Sequence, residues 1–259
     1  MQFVFTGLIL AGLIPLGRAL WVNRGTSLTH ALVWTIVAWL SWGVAFLLTD
    51  AERTDVDAGR YCALCLTGCA GVAVLGARRP HVFAWNFVVL GLFAVMVLPL
   101  IEARLIGTHS MDSLRIVFLS ATIAVGLINY LPTRLAPAVL LLALVSTGQM
   151  VGVFKSTFGA EWLFDGLLTA VPWIGWICVR RSAENYGRVD RLWLDFRDRW
   201  GLVWSQRVRE QFNRSAHHAG WPVTLRWRGL TGSANEAAPD EDKYLDTLRA
   251  LLQRFSRTD

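Results

Sequence analysis

Apolar residues run in seven long, nearly uninterrupted stretches through the first 180 positions, and after Arg181 the pattern changes to a periodic one. The stretches are Phe3 to Val22, Ala31 to Leu48, Tyr61 to Ala77, Val82 to Ile101, Leu114 to Leu131, Leu135 to Phe154 and Trp162 to Val179. Each approaches the ~17 to 25 residues that cross a hydrocarbon core of about 30 Å. Continuous rather than alternating runs favour helices, which satisfy their own backbone hydrogen bonds in lipid. The expected fold is therefore an all-α polytopic membrane protein with about seven transmembrane helices and a small, mostly helical C-terminal module. The third stretch, short and glycine-rich, decides the count: losing it leaves six spans and reverses the N-terminus.

Beyond Arg181, Val189, Trp193, Phe196, Trp200, Val203, Val208 and Phe212 recur at helical steps between Arg and Asp. This predicts an amphipathic helix from about Ser182 to His217, lying on a leaflet or offering its stripe to a partner helix. Gly220-Trp221-Pro222 ends it, and Val223, Leu225 and Trp227 alternate with polar residues as a short strand does. The domain division is a bundle over 1–181, a basic helix with an extended segment over 182–230, a linker over 231–238 and a C-terminal amphipathic helix over 239–259. Pro239 and the acids Asp240, Glu241 and Asp242 suit the start of that last helix, with Tyr244, Leu248, Leu251, Leu252 and Phe255 as its stripe.

Composition adds a direction. Met1 to Val179 holds ten basic and eight acidic residues, whereas Arg180 to Leu230 holds eleven arginines against five acids. The basic excess follows the last span directly, so anionic lipid headgroups are its expected partner, with a protein partner second and no nucleic acid. Arg18, Arg24, Arg78, Arg79, Arg134, Arg180 and Arg181 then mark the inside face, and Arg53, Arg60, Arg104, Arg115 and Lys155 the outside. The expected setting is a bacterial inner membrane, with the N-terminus outside as a permanent first span and the C-terminus cytoplasmic.

Candidate chemistry is sparse. There is no GxxxxGK[ST], GxSxG or HExxH sequence, neither lysine lies inside a span, and no cofactor is expected. Cys62, Cys65 and Cys69 share one helical face, which suits a soft metal. The face continues as Ala73 and Gly76, so a small-residue row for close helix packing is the simpler reading. Gly148 and Gly152 form a second small-residue pair, suited to helix association and self-association.

Ionisable groups inside spans normally face the bundle interior. They fall into an outer layer of Glu102, Arg115, Gln149 and Asp165 and an inner layer of His30, His81, Asn86 and Asn129. Asp165, expected to meet Arg115 or Gln149, stands out as the centre of a polar pocket, against the plainer reading of an interfacial ion pair. Asn86 and Asn129 either line a passage or bridge helices, while His30 and His81 lie too near span ends to be paired haem ligands. Arg180, Arg181, Arg188, Arg191, Trp193 and Trp200 are the candidate lipid or partner contacts. Three functions remain open: a membrane anchor presenting the basic module, a small-solute transporter or channel built on Asp165, and a lipid enzyme requiring Glu102, His109 and Asp165 to converge.

Overall fold

The computed structural model describes residues 2–48, 53–76, 82–106, 113–154, 161–180, 186–232 and 241–256. Seven helices long and apolar enough to cross a membrane come first: α1 (Gln2–Val22), α2 (Thr29–Leu47), α3 (Arg53–Ala73), α4 (Val82–Ile106), α5 (Ser113–Tyr130), α6 (Ala136–Phe154) and α7 (Glu161–Arg180). This is the architecture of an all-α, multi-pass membrane protein. The chain continues with α8 (Arg188–His218), the antiparallel hairpin β1 (Val223–Arg226) and β2 (Gly229–Gly232), and α9 (Glu241–Leu252). His81, His109, Arg181 and most of the expected linker lie outside the described residues.

α3 is the hub of the bundle, packing against α2, α4, α5 and α6, while α1 bridges α2 and α7, and α7 packs on α6. Small residues make this position available. Between α3 and α5 a Cβ on Gly71 would lie 2.8 Å from the Cα of Gly126, so only glycine lets the two backbones meet there. The helix also starts eight residues earlier than its apolar run, at Arg53 rather than Tyr61. The added turns are polar, which is why hydropathy alone reads them as a loop.

The cysteine row faces α4. The Cys65 thiol lies against the Met96 carbonyl and the Cys69 thiol against that of Val89, and Cys62 packs against the buried cluster of Ala38, Leu66 and Ala70. At the end of the row, a Cβ on Gly76 would run into the indole of Trp85. The other small-residue pair is buried as well: Gly148 receives the ring of Phe164 on α7, a contact inside the chain.

The last third of the chain docks on one end of the bundle, the end formed by the turns at 23–28, 74–76 and 131–135. Trp204 Nε1 donates to the Val74 carbonyl at 3.0 Å, the Tyr130 hydroxyl to Arg199 O at 2.9 Å, and Trp227 Nε1 to Pro132 O at 2.8 Å. Ser27 N donates to Phe255 O at 3.1 Å, and Thr26 pairs with Ser256. α9 lays Tyr244, Leu248 and the following Phe255 against α8, where Phe255 meets the rings of Phe196, Trp200 and Trp204. The extended segment is a hairpin rather than a lone strand, and β2 takes Thr231 out of the expected linker. Asn213 holds β1 through Leu225 N and O, and Asp190 Oδ1 accepts from Leu230 N at 2.6 Å.

α8 is not one continuous helix. Gly201 has φ 73° and ψ −165°, a conformation that side chains disfavour, and a Cβ there would collide with Asn129. The kink frees backbone groups that the Asn129 amide takes up, accepting from Val203 N at 3.0 Å and donating to Trp200 O at 3.4 Å. A buried amide at the end of α5 thus fixes where α8 bends.

Candidate functional site

Two polar sites emerge, one at each end of the bundle. The first lies toward the end away from α8, where α3, α6 and α7 converge. Arg60 Nη2 stands 3.0 Å from Asp165 Oδ2, and Gln149 Nε2 donates to Asp165 Oδ1 at 2.6 Å. Arg60 is 2% exposed, Gln149 1% and Asp165 6%. Taking two charges into a low-dielectric interior is offset only when each meets a partner at close range, and here the carboxylate has both oxygens engaged. One turn from Gln149 on α6, Ser146 is also buried. Its hydroxyl and the Gln149 carbonyl oxygen have no hydrogen-bond partner among the described residues. The site therefore offers a fixed, mutually neutralised charge pair beside two vacant hydrogen-bonding atoms.

This corrects the expected grouping. Asp165 is an interior residue rather than an interfacial one, and its cation is Arg60, not Arg115. Arg115 instead pairs with Glu102 at 2.7 Å, both partly exposed. Glu102 and Asp165 thus belong to separate ion pairs. The two asparagines lie elsewhere again. Asn86 Nδ2 donates to His30 Nδ1 at 3.2 Å and its Oδ1 accepts from Trp34 Nε1 at 3.4 Å, bridging α4 and α2. Asn129 is occupied by the α8 kink. The six residues read as one polar pocket are distributed over four places: Gln149 meets Asp165, Arg115 meets Glu102, and Asn86 and Asn129 stand apart from both pairs.

The second site is a cleft of about 430 Å³ where the last turn of α7, the turn at 131–135, the first half of α8 and α9 come together. Arg134, Arg188, Arg191, Arg199 and Arg249 line it with Asp195 and Asp198, and Val179, Leu192 and Leu245 supply apolar wall. Both lining acids are already paired. Asp198 binds Arg197 at 2.7 Å and Arg134 at 3.4 Å, and Asp195 binds Arg199 at 2.9 Å.

The proposed lipid or partner contacts divide accordingly. Arg188 and Arg191 are exposed at the cleft, and Arg180 is exposed beside it, with its guanidinium over the Trp176 ring at 4.2 Å. Trp193 and Trp200 are not such contacts: at 0% and 5% exposed they pack inside the chain against Phe196, with Trp200 also against Phe255.

Arg60, Arg134, Arg199 and Arg249 are the residues that sequence reasoning missed as site members. Arg60 gave one weak signal, abutting an apolar run with no proline or glycine between them. The other three are unremarkable arginines until the chain folds.

The chain matches no family model, no curated protein and no solved structure, so its function is argued from its own residues. The fold, with seven helices long and apolar enough to cross a membrane, is that of a multi-pass α-helical membrane protein.

Proposed function

We propose that the chain is a membrane scaffold of a bacterial inner membrane, with its N-terminus outside and its C-terminal segment cytoplasmic, presenting a basic surface to anionic lipid or to a protein partner. The carrying observation is that Arg191, Arg207, Arg214, Arg226 and Arg228 are all exposed on the segment after α7, while Val189, Trp193, Phe196, Trp200, Val208 and Phe212 of its apolar stripe are buried. What this segment offers to its surroundings is thus charge rather than apolar area. Each arginine near an anionic leaflet contributes about 1 kcal/mol of attraction, which salt screens within about 10 Å at 0.1 M.

The test uses the full chain in nanodiscs of phosphatidylglycerol or phosphatidylcholine. Hydrogen exchange over α8 and the hairpin is expected to slow in the anionic discs and to recover in high salt. Equal exchange in both lipids, with no protein captured by the intact chain, contradicts the scaffold reading.

A second reading, a small-solute transporter or channel, draws on the vacant Ser146 hydroxyl and Gln149 carbonyl beside the Arg60–Asp165 pair. A solute with hydrogen-bond donors would satisfy both atoms. Flux into proteoliposomes that survives Gln149→Leu removes this reading.

A further inference from the structure

The cleft at the α8 end carries more than a general attraction for negative surface. Its two aspartates are neutralised within the protein, Asp198 by Arg197 and Arg134 and Asp195 by Arg199. Arg188, Arg191 and Arg249 also line the cavity, and none of them pairs with either of these aspartates. Arg191 is exposed and has no acidic partner among the described residues. Arg188 meets the exposed Asp242 at 2.7 Å and the partly exposed Glu241 at 3.8 Å, and Arg249 meets the exposed Asp246 at 3.5 Å, pairs at the surface that water screens and that a better anion can replace. The volume of about 430 Å³ lies in the ordinary range of small-ligand sites, roughly 300 to 1,000 Å³. Guanidinium groups bind phosphate through paired N–H donors, and several converging on one cavity favour that group over a single carboxylate.

We propose that this cleft binds a phosphate group, and that the group belongs to the headgroup of a lipid in the adjoining leaflet. The proposal rests on the scaffold reading and narrows it from a surface to a site. The walls argue for a lipid. Val179 closes the cleft at the last turn of a helix long enough to cross a membrane, and Leu192 and Leu245 add apolar surface suited to a glycerol backbone. Arg180 is exposed at the same level, next to Val179.

The experiment is native mass spectrometry of the full chain released from vesicles of mixed phosphatidylglycerol and phosphatidylcholine, with a parallel thermal-unfolding assay in detergent with inorganic pyrophosphate. Arg191→Gln and Arg249→Gln are the test variants, since both side chains are exposed and an unchanged unfolding midpoint establishes that they fold. Arg226→Gln and Arg228→Gln, on the hairpin outside the cleft, are the comparison. The expected result is selective retention of phosphatidylglycerol that weakens about fivefold for each cleft arginine removed and not for the hairpin pair. Protection by pyrophosphate alone, lost in the cleft variants, upholds the phosphate site and overturns its lipid source. Retention indifferent to Arg191 and Arg249, with no pyrophosphate effect, overturns the site. In that event, loss confined to the hairpin variants leaves the scaffold reading standing without the cleft, and loss in none removes both.

Discussion

α3 and α4 lie side by side and invert the rule learned from water-soluble proteins. The central window of α4 is the most apolar of the seven, yet only 17% of it is buried, and Phe87, Val95 and Leu105 stand exposed. That of α3 is among the least apolar and is 61% buried. In water, apolar surface moves to the interior because the solvent rejects it. In hydrocarbon the solvent is as apolar as leucine, so packing and polar contacts decide what lies inside. In this pair, small residues and a buried charge go with the interior helix α3, and the unbroken apolar run goes with the peripheral α4.

The widest test of this contrast is the charge on α3. Arg60→Ala removes the buried cation paired with Asp165 Oδ2 and is expected to destabilise the bundle by about 3–5 kcal/mol. Equilibrium unfolding in mixed micelles measures it, and the double change Arg60→Leu, Asp165→Leu should recover most of the loss. A single substitution with no effect would break the contrast at its strongest point.

The next test concerns how closely α3 is approached. Gly71→Val puts a branched side chain against the backbone of Gly126, and overpacking of this kind costs about 1–3 kcal/mol. The same unfolding assay reports it.

Asn129→Ala asks whether α8 shares that interior. It strips Trp200 O and Val203 N of their partner, at about 1–3 kcal/mol for unsatisfied buried groups. Limited proteolysis should then cut near Gly201 faster than in the parent. Val95→Ala on α4 closes the order, with an expected change within about 0.5 kcal/mol, since the side chain faces outward.

The same contrast explains what was legible in the chain. Hydropathy finds segments that lipid accepts, and it found all seven helices. It does not find which of them is most buried, and it does not extend to the polar first turns of α3. Asp165 was visible because a carboxylate inside an apolar run has few explanations, and Gln149 is near enough in sequence to be a natural partner. Arg60 is 105 positions from Asp165, and no local pattern joins them.

α8 shows the same limit at the other end. Its stripe is plain from periodicity, but periodicity does not say whether lipid, a partner or the chain itself covers it. The cover proved to be internal: Val74, α9 and the turn at 131–135. The bend at Gly201 depends on Asn129, a residue that reads equally well as a pore-lining or a bridging amide. The arginine cleft likewise requires four separated segments to meet, and composition gave only its sign.

The most direct measurement of the central claim is carbene footprinting of the full chain in bilayers with a lipid-soluble diazirine, read by mass spectrometry. Heavy labelling of Phe87, Val95 and Leu98 on α4, with the fully buried Ala63, Leu64, Cys65 and Cys69 of α3 left unmodified, is the predicted result. Equal labelling of the two helices would contradict the account, because α3 would then face lipid and its charge, its glycines and its cysteine row would need another explanation.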